Sequence, residues 1–187
     1  SLMSIEVSNL GSAQLNALSS TQLNALQSSA LASLTTANVV GLSSSALGGL
    51  STDKLGLLSP QLLGAMTSTQ LAGLTSAQVA ALSTSQIAGL TSSNIGGLST
   101  DALQGLASAK ITAIETNDLP GLNAAQIASL STSQIASLTS AQVSNLRSAQ
   151  LNALSSTQLN ALPSSALASL ATANVVGLSS SGLGGLS

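Results

Sequence analysis

Every eighth residue of this chain, from Leu2 through Leu10, Leu18 and Leu26 to Leu186, is Leu, with Met66 and Ile114 the only substitutions. From Leu10 on, three residues before each of these stands a second Leu, Val or Ile, running without exception from Val7 through Leu15, Val79 and Ile135 to Leu183. The residue just before each Leu is nearly always small, as at Ala17, Gly49, Gly73, Ala81 and Ser129, while Asn9, Leu57 and Asn145 depart from this. So strict a period marks a repeat architecture, in which each unit buries its apolar face only against its neighbours. A longer duplication lies on top: residues 11–51 recur at 147–187, differing only at Gly11/Arg147, Gln27/Pro163, Thr35/Ala171 and Ala46/Gly182. The offset of 136 residues is seventeen octads. Because seventeen is prime, a coil of two or three specialised octads would fall out of phase between the copies, so the single octad is the structural unit. Residues 1–187 thus read as one array. Its register runs to both termini with no atypical capping unit, as expected of a slice of a longer array.

The period excludes a single long helix. Eight residues at about 100° each advance the aliphatic columns by about 80° per octad, so the apolar stripe would wind around the helix and face no partner. A β-strand reading meets another obstacle, since the aliphatic spacings of three and five are both odd and would alternate faces. Leu, Ala, Gln and Gly are not strand formers either. The expectation is an all-α fold, a narrow solenoid of stacked very short helices with one helix per eight-residue repeat; a β-solenoid is the alternative.

Helix-start chemistry carries that choice. In Leu74-Thr75-Ser76-Ala77-Gln78-Val79-Ala80-Ala81-Leu82, Thr75 is placed as N-cap and Gln78 at N3, where its side chain can reach back to the cap N–H and complete a capping box. Leu74 and Val79 then hold the two positions of a hydrophobic staple. The pattern recurs at Ser19/Gln22, Thr67/Gln70, Ser83/Gln86, Ser131/Gln134, Thr139/Gln142 and Ser155/Gln158. The expected capping residues include Thr75, Gln78, Ser83, Gln86, Ser131, Gln134, Thr139 and Gln142. The expected core includes Leu74, Val79, Leu82, Ile87, Leu90, Ile127, Leu130, Ile135 and Leu138. Pro60 falls at N1, where its missing N–H costs nothing. Gly in the small column is expected to end a helix in the left-handed conformation or to let backbones approach closely. Pro120, sixth in the unusual octad Glu115–Leu122, predicts a local defect, and Pro163 falls at a cap. Two aliphatic side chains cannot offset the backbone entropy of eight residues, so stacking must supply the rest. The Ser, Thr and Gln side chains are expected to cap helices or face water, and the Gln columns to form ladders along the stack.

The octads Leu74–Ala81 and Leu82–Gly89 resemble the Thr/Ala/Gln/Ile-rich octapeptide arrays of very large bacterial secreted or cell-surface proteins of adhesin type. That resemblance implies an extracellular or cell-surface, repeat-built segment whose binding and secretion functions sit in other domains.

Composition removes most chemistry. The chain has no Phe, Trp, Tyr, His or Cys, and charged residues make up 4% of it. Histidine dyads, thiolate metal sites and aromatic nucleic-acid platforms are therefore excluded. Three Lys+Arg give no footprint for phosphate backbones or anionic lipid. No apolar run is long enough to span a membrane, and Ser1-Leu2-Met3-Ser4 does not read as a signal peptide. Glu115 and Asp118 read as an exposed turn variant rather than a catalytic pair or metal site, and Asp53, Lys54 and Lys110 read as solvated. The expectation is a non-enzymatic spacer or stalk with no cofactor and no metal. Its partners are neighbouring repeats of the same chain, with no nucleic acid and no membrane insertion, and its uncapped ends could dock into a homo-oligomer. The competing readings are a Ser/Thr surface that binds glycan, ice or another solid surface, and a self-assembling filament module.

Overall fold

The structure, a computed structural model, describes residues 7–170 and Leu178. Among these residues there is no strand: seventeen complete α-helices of four to six residues and three 3-10 turns follow one another, one per octad. The chain is a narrow helical solenoid. Each unit has the same local logic, seen in the helix Ser76–Ala81. Thr75 is extended (φ −83°, ψ 162°) and its hydroxyl accepts from the backbone N–H of Gln78. One and a half helical turns follow, and Leu82 (φ −56°, ψ 138°) turns the chain back to extended geometry before the next cap, Ser83.

Helices this short are not stable in isolation. They are held by stacking three octads apart: Ser76–Ala81 packs between Thr52–Leu55 before it and Thr100–Gln104 after it, as Thr132–Ala136 does between Ser108–Ile111 and Ser156–Ala161. The two aliphatic columns line the space enclosed by these turns. Leu74, Val79, Leu82, Ile87, Leu90, Ile127, Leu130, Ile135 and Leu138 are all buried, within one core cluster that runs from Val7 to Ala166.

The small column does not work through left-handed backbone. No described residue, glycine included, has positive φ, and Gly89 (φ −81°, ψ −11°) and Gly105 (φ −67°, ψ −18°) end their helices in right-handed geometry. The extended Leu that follows makes the corner instead. Glycine is needed for proximity: a Cβ on Gly97 would lie 2.0 Å from the Ser68 carbonyl oxygen, and one on Gly73 would lie 2.1 Å from that of Ser44. These are the seams between stacked turns.

The three 3-10 turns are Val39–Gly41, Ile95–Gly97 and Leu119–Gly121. Pro120 lies in the third, but the first two lack proline, so it does not define them. What the three octads share is an Asn or Asp, Asn38, Asn94 or Asp118, at the position where ten other octads carry Gln. Pro60 stands at the start of its helix after the cap Ser59, and Pro163 is tolerated as the residue that opens Ser164–Ala168.

Candidate functional site

The most specific chemistry in the molecule is repeated at the fourth octad position. Gln78 Oε1 accepts the N–H of its own cap Thr75 at 2.8 Å, while Gln78 N–H donates to Thr75 Oγ1 at 3.2 Å. That is the capping box, and it uses only the oxygen of the amide. The Nε2 group donates to two backbone carbonyls far back in the chain, Leu47 O at 2.8 Å and Leu50 O at 2.6 Å. The acceptors belong to the octad four units earlier. Gln86 repeats this with Ser83 on one side and Leu55 O and Leu58 O on the other. Gln134 does so with Ser131, Leu103 O and Leu106 O, and Gln142 with Thr139, Ile111 O and Ile114 O.

Stacking at three octads and glutamine reach to the fourth together set the winding: one superhelical turn takes between three and four octads. The geometry parallels that of an α-helix, in which residues three and four apart are neighbours. It also changes the place expected for glutamine. The amides of Gln78, Gln86, Gln134 and Gln142 are buried rather than facing water, and the column bonds to backbone carbonyls, not to itself. Burying an amide is tolerable only when it is hydrogen-bonded. No buried side-chain N or O among the described residues lacks a partner.

Other residues at the same position perform part of the role. Asn38 and Asn94 accept from the cap N–H of Thr35 and Thr91, and Asn94 Nδ2 donates to Leu63 O at 2.9 Å and Met66 O at 3.0 Å. Their side chains are one methylene shorter, and the backbone tightens into a 3-10 turn beneath them. Lys110 Nζ donates to Ala80 O and Leu82 O, each at 2.7 Å, and Lys54 Nζ donates to Leu26 O. Both lysines are half-buried and bound to backbone, in contrast to the solvated positions that their sequence suggests. Asp53 beside Lys54 is exposed. Asp118 cannot donate and is turned away, its Oδ1 accepting from Ser92 N at 2.7 Å.

A family model described as the ALTTAQ repeat matches residues 61–92 and 111–148. No match to a curated protein accompanies it. Read as residues, the six letters ALTTAQ have the phase of Ala81-Leu82-Ser83-Thr84-Ser85-Gln86: small residue, core Leu, cap, two outward positions and the clamp glutamine. The two ALTTAQ stretches hold Gln70, Gln78 and Gln86, then Gln126, Gln134 and Gln142, all of them buried. A repeat-containing chain is therefore supported independently of the octad register.

The surface outside this column is hydroxyl and amide. A shallow depression of about 440 Å³ is lined by Pro60, Gln61, Ser85, Ala88 and Gly89, none of them titratable. Hydroxyl neighbours occur across a seam, as between Ser140 and Ser165 at 3.2 Å. Many cap hydroxyls, including Ser83, Ser99 and Ser131, are already engaged on helix N–H groups.

The sequence pattern discloses the cap-binding oxygen of Gln22, Gln70, Gln78, Gln86, Gln134, Gln142 and Gln158, not that of Gln14, Gln126 or Gln150, and the nitrogen of none. The signal was available: in a serine-rich chain the fourth octad position never holds Ser or Thr. It holds a donor-bearing Gln, Asn or Lys, a small or apolar residue such as Ala30, Ala46, Leu62, Ala102 or Gly182, and only at Glu6 and Asp118 an acid.

Proposed function

We propose that this chain is a non-catalytic spacer rod within a large bacterial secreted or cell-surface protein, holding other domains at a distance set by octad number. The observation that carries the reading is the clamp. Each buried glutamine ties its octad to the one four units earlier, so adjacent turns are joined by charge-free hydrogen bonds as well as by the aliphatic core. Such bonds each contribute about 0.5–1.5 kcal/mol net and would cost more than that if left unmade inside. A quasi-one-dimensional array of this kind gains length without gaining a new kind of contact.

Two of the three cationic side chains, Lys54 and Lys110, are committed to backbone carbonyls, which argues against a nucleic-acid or anionic-lipid surface. Among the described residues no helix is long and apolar enough to cross a membrane. The extracellular placement rests on the octapeptide resemblance. Small-angle scattering of the chain, and of a variant lacking residues 123–146, tests the spacer reading. The maximum dimension should fall with the three deleted octads while the cross-section stays fixed; an unchanged length or a swollen cross-section refutes a rod. Antibody labelling of an epitope inserted at Ser85 on intact cells tests the location.

A further inference from the structure

The clamps are not spread evenly along the rod, and their gaps coincide at one place. A clamp reaches back four octads, so any boundary between octads is bridged by the clamp residues of the four octads that follow it. At Leu122/Asn123 these are Gln126, Gln134, Gln142 and Gln150, and all four reach across, to carbonyls between Gly96 and Leu122. At Met66/Thr67 they are Gln70, Gln78, Gln86 and Asn94, again all bonded across the boundary. At Leu98/Ser99 they are Ala102, Lys110, Asp118 and Gln126. Ala102 has no side-chain donor, and Asp118 instead accepts from Ser92 N in an exposed bond. Of the four, only Lys110 and Gln126 donate across. Leu90/Thr91 is as sparse, with Asn94 and Lys110 bonded and Ala102 and Asp118 not. Boundaries ahead of Ser43 are no better bridged, but among the described residues no fully clamped boundary precedes them.

We propose that residues 91–106 are a soft joint, across which the turns of 39–90 and those of 107–162 fold and yield as separate blocks. The joint does not lack a core, since Ile95, Leu98, Leu103 and Leu106 are buried. It also keeps the close seams, Gly97 against Ser68 and Gly105 against Ser76. What is missing is half of the buried amide bonds that elsewhere tie one turn to the next. In a linear array the interface between neighbours decides whether they unfold together, so cooperation is weakest where the bridging is thinnest. The two blocks also differ in their own stability. Residues 39–90 carry seven glycines, each of which gains backbone freedom on unfolding, whereas 107–162 carry only Gly121. The inference rests on the stacked-rod reading and deepens it: under tension the first block can unwind while the second keeps its length.

The test follows unfolding of the full chain at two places. The chain has no Cys, so Thr69→Cys and Ser133→Cys, both at exposed positions, each carry a fluorophore into one block. Urea denaturation should give two midpoints, the label at 69 reporting first, apart by about 0.5 M or more. Ala102→Gln with Asp118→Asn supplies the two missing donors. By the register of the other clamps they face Leu71 O and Leu74 O, and Ile87 O and Leu90 O, and the midpoints should come together. If the longer side chain at 102 does not fit its buried site and the chain fails to fold, Asp118→Asn alone, which keeps the shape of the side chain, should narrow the gap by about half. Coincident midpoints without the added donors, or a gap that the donors leave unchanged, overturn the joint. Coincident midpoints with rod-like scattering would leave the spacer reading standing, whereas a swollen cross-section would remove both.

Discussion

Lys110 donates to the carbonyl oxygen of Leu82 across 28 residues, the same separation at which Gln78 donates to Leu50. The ammonium group sits in a socket made for an amide nitrogen and reproduces half of the amide's work. It has no acceptor, so it cannot satisfy the N–H of Ala107, the residue that opens Ser108–Ile111 without a side-chain cap. Lys110→Gln should therefore keep the cross-turn bonds, gain a cap bond and raise stability by up to about 1 kcal/mol. Lys110→Leu should lower it by a similar amount. Thermal melts followed by circular dichroism distinguish the two, and a Lys110→Leu variant as stable as the natural chain would mean that the lysine is only a surface residue.

Gln78 and Gln22 predict unequal responses to one substitution. Gln78→Glu leaves the acceptor for Thr75 N–H but buries a carboxylate beside Leu47 O and Leu50 O, and should cost more than about 3 kcal/mol. Gln22→Glu makes the same change on an exposed side chain and should cost less than about 0.5 kcal/mol. Urea denaturation of the two variants measures the difference. Equal losses would show that glutamine acts through its cap alone.

What the residues disclosed and what they hid divides along one physical line. The aliphatic columns and the capping boxes are local, written within eight residues, and Leu74, Val79, Thr75 and Gln78 can be assigned from spacing alone. The bond from Gln78 to Leu50 is not local, and its existence depends on how many octads make a turn, which no single octad encodes. The bonds of Lys54 and Lys110 are hidden for the same reason, because a lone cation in a polar stretch gives no hint that a carbonyl from the previous turn lies within reach. Glycine misled in the opposite sense. A residue that permits left-handed backbone and close approach alike serves approach at seam positions such as Gly73 and Gly97, and left-handed backbone at no described position.

That use of glycine gives a sharp contrast. Gly97→Ala would force a methyl group to within 2.0 Å of the Ser68 carbonyl oxygen, against backbone that cannot swing aside, and should destabilise by about 1–3 kcal/mol. Gly56 has ordinary helical backbone (φ −62°, ψ −18°), and a methyl group there meets nothing closer than 3.4 Å. Gly56→Ala should stabilise by about 0.4–1 kcal/mol by restricting the unfolded chain. Chemical denaturation of the two variants side by side is sufficient. A destabilising Gly56→Ala or a neutral Gly97→Ala would contradict the seam geometry.

Asp118 is the described residue whose chemistry works against its position. In the equivalent octads Asn38 and Asn94 use one end of the amide on the cap N–H and the other on carbonyls of the earlier turn. A carboxylate has no donor, and Asp118 instead accepts from Ser92 N, leaving Ile87 O and Leu90 O of the earlier octad without the amide that their counterparts receive. Asp118→Asn keeps the shape of the side chain, removes a negative charge from the neighbourhood of carbonyl oxygens and restores a donor at the clamp position. The expected result is a gain of about 1 kcal/mol. Because Asn38 and Asn94 already stand at the start of 3-10 turns, the substitution should not convert Leu119–Gly121 to an α-helix. Hydrogen exchange should report slower exchange in octads 83–90 and 115–122 together, since the new bond would join them. Protection confined to residues 115–122 would mean that the asparagine caps its own turn and does not reach the one before.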